Sequence, residues 1–253
     1  MNRPNHIHFA ASSAPSAQQA RADLTRRYGQ ASVERADVIV ALGGDGFMLH
    51  CLHADRGLPV YGMNRGSVGF LMNDYAAEDL PERLAAAEEA HINPLAMRAE
   101  TADGVLHKAL AINEVSLLRA GPQAAKLQIS VNGRVRMEEL ISDGAIVSTP
   151  AGSTAYNYSA QGPILPIGSD VLALTAIAPF RPRRWQGAIL PSSALVRFDV
   201  LEPGKRPVMA DADSRGVKPV RWVEVYSEPK VTHRILFNPG HGLEERLMRE
   251  QFA

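Results

Sequence analysis

The chain has 253 residues, 45% hydrophobic and 21% charged, enough for one large core or two modest ones and too apolar for a disordered chain. Its 27 basic and 27 acidic residues cancel, which argues against a general nucleic-acid binder, and its one cysteine, Cys51, excludes an internal disulfide framework. No apolar stretch approaches the ~20 residues that span a bilayer, and the first residues lack the apolar run of a signal peptide, so the expectation is a soluble, cytoplasmic protein that engages no membrane.

Residues 6–12 form a first strand in this reading. Its His6-x-His8 pair shares one face, and a solvated or satisfied face is favoured over a metal site because no third ligand is near. Residues 15–28 follow as a helix, with Pro15 near the start and Gly29 just past the end. The β-branched run 36–42 predicts a strand buried on both faces of a parallel sheet. Gly43-Gly44-Asp45-Gly46 ends it abruptly, and Phe47, Met48, Leu49, Cys51 and Leu52 then fall at helical spacings. Cys51 is read as inert packing. A strand over 58–63 leads into an irregular loop, 64–71. Residues 77–90, rich in alanine and glutamate with Leu80 and Leu84 on one face, predict a helix. Strands alternating with helices to about residue 90 indicate an α/β layer.

After Asn93-Pro94 the texture becomes β-rich. Asp103-Gly104 and Asn132-Gly133 lie between strand-like runs and suit tight primed turns. Further strands are expected at 144–149, 171–178, 194–201, 207–211, 220–227 and 231–237. An amphipathic helix over 243–252 closes the chain.

Three places carry chemistry. A strand, a glycine turn and a helix start make an anion site, because main-chain amides and the helix dipole face the ligand and no Cβ obstructs it. Asp45 is the odd member there. A carboxylate in an anion site either takes a proton from a hydroxyl, or holds a metal, or merely caps the helix. Asn113-Glu114, leaving a strand, offers acceptors to an adenine amine or to ribose hydroxyls, although alone it reads as a strand-end turn. Asp143-Gly144 precedes a strand, and the string Thr149 to Ser159 follows it. That string joins a proline–glycine turn to Ser153 or Thr154 as a helix cap and to Tyr156 and Tyr158 as flat amphipathic faces, a set suited to a nucleotide sugar.

Together, the Gly-Gly-Asp-Gly turn, Asn113-Glu114 and the segment from Asp143 to Ser159 resemble the NAD kinases of bacteria, which phosphorylate the adenosine ribose 2′-hydroxyl of NAD. The likeness runs from about Val38 through Pro191 and more loosely to the end. The Thr-Pro-x-Gly-Ser-Thr-Ala-Tyr string is its most specific part. The resemblance implies a Rossmann-like domain over 1–93, rejoined by a last helix in 238–253, and a β-sandwich-like domain over 94–237. It also implies a homodimer or homotetramer, with NAD between the domains. ATP would be the phosphate donor and magnesium the divalent ion. Asp45 matches the catalytic base and Gly46 the adjoining NAD contact, with Gly43 and Gly44 completing the turn. Asn113, Glu114, Asp143, Ala151, Thr154, Ala155, Tyr156, Asn157, Tyr158 and Ser159 match dinucleotide-binding positions, with Ala178 as a backbone contact. Phe47 stands where the family commonly has threonine. His50 stands where arginine or lysine is common, so positive charge there depends on imidazole protonation.

The chemistry agrees with the resemblance. Phosphoryl transfer is chiefly positioning and electrostatics, and it needs a phosphate cradle, a divalent ion and a group that orients the hydroxyl. No Gly-x-x-x-x-Gly-Lys-Ser/Thr string is present, which excludes a P-loop kinase, and no Gly-x-Gly-x-x-Gly fingerprint follows a strand. Two alternatives remain at this level: a lipid kinase of the diacylglycerol type sharing the turn, and a non-catalytic NAD-binding regulator.

Overall fold

The computed structural model describes residues 3–54, 57–66 and 69–252. It divides into two units, Met1–Ile92 with Thr232–Ala253, and Asn93–Val231.

The first unit begins with β1 (Ile7–Ala11), α1 (Pro15–Tyr28), β2 (Val38–Gly43), α2 (Asp45–His53), β3 (Val60–Asn64), α3 (Leu80–Ala86) and β4 (Glu88–Ile92). All six residues of β2 are buried, as a strand covered on both faces requires. Ala17, Ala20 and Leu24 of α1 pack on the sheet face formed by Phe9, Val38, Val40 and Leu42. Met48, Cys51 and Leu52 are the buried residues of α2. The outer edge of β1 is closed by Gln30 and by Ala31, whose N–H donates to the Ile7 carbonyl at 2.9 Å. Gln30 accepts the Phe9 N–H at 3.1 Å and donates back to the Phe9 carbonyl at 3.3 Å, so its amide stands in for a neighbouring strand.

The helix expected over 77–90 is shorter. It ends at Ala86, and Glu88–Ile92 is extended instead. Alanine and glutamate favour helix locally, but the pairing of this segment with a distant strand overrides that preference.

The second unit is β throughout apart from two short consecutive helical turns, Ala151–Thr154 and Tyr156–Ser159. Its elements are β5 (Leu95–Thr101), β6 (Leu106–Ala111), β7 (Glu114–Arg119), β8 (Ala125–Val131), β9 (Arg134–Ser142), β10 (Gly144–Ser148), α4 (Tyr156–Ser159), β11 (Val171–Ile177), β12 (Gly187–Pro191), β13 (Val196–Val200), β14 (Val208–Ala212), β15 (Arg215–Val217) and β16 (Val220–Ser227). The strands form two six-stranded sheets, ordered β12-β11-β10-β7-β14-β15 and β6-β5-β16-β13-β8-β9. Alternate residues of both sheets build one core: Val115, Leu117, Ala145, Val147, Leu172 and Leu174 from one, Met97, Leu127, Ile129, Phe198, Val223 and Val225 from the other. The sequence reading had no strand at β7, β12 or β15. β7 starts on the polar pair Asn113-Glu114, which reads as an ending and not a beginning.

The chain then returns to the first unit. β17 (His233–Phe237) runs parallel to β3 and antiparallel to β4, giving the five-strand order β1-β2-β3-β17-β4. The expected boundary at 237 therefore moves to 231. Asn73 pins the return. Its amide donates to the carbonyls of Gly62 and Leu236, both at 3.0 Å, and its side-chain oxygen takes the Asn238 N–H at 2.9 Å. The last helix, α5 (Leu243–Gln251), buries Leu243 and Leu247. No helix among the described residues is long and apolar enough to cross a membrane.

Candidate active site

The residues singled out in the sequence fall into two groups, one in each unit. In the first, β2 ends at Gly43, Gly44 is the N-cap, and Asp45 is the first residue of α2. Asp45 does not cap its own helix. Its Oδ2 accepts the Phe70 N–H at 2.7 Å and its Oδ1 the Leu71 N–H at 2.8 Å. The carboxylate is thus held between the glycine turn and the loop after β3. Ser67 and Val68 of that loop lie outside the described residues. Each carboxylate oxygen keeps a further acceptor direction for a ligand proton.

One turn along α2, the Phe47 and His50 rings stack with centroids 5.9 Å apart and an interplanar angle of 26°. They border a cavity of about 420 Å³ that Arg21, His8 and Gln30 also line. Cys51 borders it too, and burial pushes its thiol up to about 11, so it stays protonated and unreactive. His8 is engaged through Nδ1 with the Ala31 carbonyl at 2.9 Å, and His6 lies beside Asp37.

In the second unit, Asn113 and Glu114 sit in the corner between β6 and β7. Asp213, in the turn between β14 and β15, accepts the N–H groups of Ile112, Asn113 and Glu114. Thr149 braces the corner from the other side: its hydroxyl donates to the Ile112 carbonyl at 2.8 Å and takes the Gly152 N–H at 3.0 Å. Gly152 passes so close that a Cβ there would stand 2.2 Å from the Asn113 carbonyl oxygen, so no other residue fits.

Glu114 is unusual. Burial, with the Asp213 and Asp211 carboxylates adding to it, pushes its carboxyl up to about 8. At neutral pH it is mostly uncharged and can donate as well as accept. Its Oε2 is buried and has no hydrogen-bond partner among the described residues. Burial raises the pKa of the Tyr156 hydroxyl, and the Asp143 and Glu114 carboxylates add to it. Asp143 forms an ion pair with Arg119 at 2.6 Å, and its main chain joins the Ile177 carbonyl next to Ala178.

The rest of the hydroxyl-rich string divides by face. Tyr156, Tyr158 and Ser159 are exposed, Thr154 and Ala155 half-buried, and Ala151 buried in the short turn before them. Asn157 points the other way. It is fully buried, donating to the carbonyls of Ser153 and Pro163 at 3.0 Å each and accepting the Thr175 hydroxyl at 2.6 Å. Its side chain holds the segment onto β11.

Two family patterns match this chain: the ATP-NAD kinase N-terminal domain over residues 3–92 and the ATP-NAD kinase C-terminal domain over residues 112–229. The chain belongs to the NAD kinase family. A NAD kinase of Cereibacter sphaeroides is 69% identical over 252 residues, covering 99% of both chains. One of Hyphomonas neptunium is 57% identical with the same coverage. Among solved structures, a yeast NADH kinase complexed with NADH superposes with a TM-score of 0.85 at 19% identity, over 100% of this chain and 88% of that one. A NAD kinase from Archaeoglobus fulgidus in complex with ATP gives 0.73 at 24% identity, over 98% and 97%. These two likenesses establish a shared fold.

Sequence reasoning missed Asp213, Arg119 and the amides of Phe70 and Leu71. Asp213 and Arg119 lie in stretches that look like an ordinary hairpin turn and a strand end, and main-chain donors carry no residue signature at all.

Proposed function

We propose that the chain transfers the terminal phosphate of ATP to the adenosine ribose 2′-hydroxyl of NAD, forming NADP and ADP. The observation that carries this reading is the Asp45 carboxylate, held by two main-chain N–H groups at the start of α2. The 2′-oxygen forms a bond to the γ-phosphorus, the bond from that phosphorus to the β,γ-bridging oxygen breaks, and ADP leaves with the electron pair. Asp45 accepts the hydroxyl proton. It does so late, as the attacking oxygen becomes acidic in the transition state. The amides of the Gly43–Gly46 turn and the positive end of α2 receive phosphate oxygens.

Glu114, Asn113, Asp143 and the Tyr156 face hold the dinucleotide. The uncharged Glu114 suits a ribose hydroxyl, since it meets either a donor or an acceptor without placing a fixed charge there. The cavity beside Phe47 and His50 suits the nucleoside of ATP, with its triphosphate directed to the glycine turn. Among the described residues no group of three or more His, Cys, Asp or Glu side chains is arranged to hold an ion. A magnesium ion brought in with the triphosphate would offset phosphate charge during transfer.

The protein is further proposed to act in the cytoplasm as a homodimer or homotetramer. Support for assembly comes from the sheet edge at β12, where Ile189 is 58% exposed, and from Phe180, 53% exposed in the preceding loop. Formation of NADP from NAD, ATP and magnesium tests the activity. Purified protein that binds NAD but forms no NADP would leave the non-catalytic reading.

A further inference from the structure

The contacts of Asp45 continue beyond the loop that holds it. Arg246, on the first turns of α5, donates through Nη1 to the carbonyls of Gly69 at 3.5 Å and Phe70 at 3.3 Å. The Gly69 carbonyl and the Phe70 N–H belong to one peptide group, and the Phe70 carbonyl and the Leu71 N–H to the next. Those two N–H groups are the ones that Asp45 accepts. Each peptide group therefore carries the guanidinium on its oxygen and the carboxylate on its hydrogen. Because the amide is conjugated, a cation on the oxygen makes the N–H a stronger donor, by about 10–30% per bond in hydrogen-bonded chains.

The arrangement is built on both sides. A Cβ on Gly69 would lie 2.6 Å from Met72 Cγ and 3.4 Å from Asp45 Oδ1, so only glycine lets the loop close on the carboxylate. Arg246 is fixed by its Nε bond to the His241 carbonyl at 2.8 Å and by the Phe237 ring, 5.2 Å from the guanidinium carbon. Leu243 and Leu247 bury the helix face on either side of it. Burial lowers the guanidinium pKa, and the nearby Asp74 and Asp45 carboxylates act against that shift.

We propose that Arg246 is a positioning residue for the phosphoryl transfer, acting through the two peptide groups of residues 69–71 to fix and polarise the Asp45 carboxylate. The C-terminal helix then serves the reaction as well as closing the fold. This proposal rests on the role given to Asp45 above.

The test is a double-mutant cycle read as kcat and KM for NADP formation. Arg246→Ala is expected to lower kcat by ~10–100-fold, the scale of a small misplacement of a reacting group, with KM for NAD changed less than about threefold. Arg246→Lys, which keeps a cation, should recover part of the loss. In the Asp45→Asn background, Arg246→Ala should cost little more, because the group it serves is gone. Full additivity of the two losses, or an Arg246→Ala variant of lowered melting temperature and unchanged kcat, would overturn the relay. If Arg246→Ala does not fold, the uncharged Arg246→Gln decides: wild-type kcat in it, or a loss fully additive with that of Asp45→Asn, overturns the relay too. Wild-type protein forming no NADP would instead overturn the functional reading.

Discussion

The Asp213 carboxylate accepts the main-chain N–H of Asn113 at 3.1 Å, although a hundred residues separate them. The same carboxylate serves Ile112 and Glu114, so one side chain sets the corner on which two proposed NAD ligands stand. Asp213→Ala leaves those amides without their charged acceptor. Hydrogen bonds to charged groups are worth ~1.5–3 kcal/mol, so NAD affinity should fall by ~10–100-fold. Calorimetric titration with NAD checks this, and unchanged affinity in the folded variant would detach Asp213 from the site.

Glu114 makes stability depend on pH in a definite direction. Burial raises its carboxyl from the usual value of 4.5 to about 8. The folded state thus holds a proton that the unfolded chain releases, and this contribution is fully present below about pH 4.5 and lost as pH rises through about 8. Glu114→Gln should flatten the fall of melting temperature across that window. A variant with the same pH slope as the wild type would show that Glu114 does not titrate there.

The legible parts of this protein were those whose causes are local. The limits of α1 follow from Pro15 and Gly29, and the β2–turn–α2 unit from an unbroken apolar run meeting glycines. Glu88–Ile92 was misread because its strand partner lies far along the chain, with Glu89 binding Arg234 across 145 residues. The site divides the same way. Asp45, Glu114 and Tyr156 stand in recognisable strings. The groups that orient or perturb them, the Phe70 and Leu71 amides, Asp213 and Arg246, come from segments that mean nothing until the chain is folded. Asn157 was legible as part of the string but not as its anchor, since only the fold shows which way a residue in that segment faces.

Asn157→Ala should act on stability. It would strand the Thr175 hydroxyl and the carbonyls of Ser153 and Pro163, at a cost of ~2–4 kcal/mol. For a chain of this size that lowers the melting temperature by roughly 5–15 °C in a thermal scan. A melting temperature within a degree of wild type would mean that water replaces the amide.

Phe47→Ala bears on the donor. If the Phe47–His50 pair carries the nucleoside of ATP, losing the ring should raise KM for ATP by ~5–20-fold, the scale of an aromatic stacking contact with its apolar burial. KM for NAD and the affinity for inorganic tripolyphosphate, which has no base, should stay near wild type. Equal losses for ATP and tripolyphosphate would place the defect in the glycine turn and not in the cavity.

Asp45→Asn addresses the reaction itself. The amide keeps the shape and one oxygen that accepts the Phe70 or Leu71 N–H, but it cannot take the 2′-hydroxyl proton. It also removes a negative charge from a site that admits phosphates, so ground-state binding should not suffer. kcat is therefore expected to fall by ~10²–10⁴-fold, the range for loss of a general base. Kd for NAD should move far less, the signature of an interaction made mainly in the transition state. Asp143→Asn is the control. It weakens the ion pair with Arg119 on the proposed dinucleotide side, so its effect should appear chiefly in NAD affinity. Steady-state kinetics of both variants beside direct NAD titrations separate the roles. An Asp45→Asn enzyme with near-normal kcat and lost NAD binding would make Asp45 a ribose ligand and remove it from proton transfer.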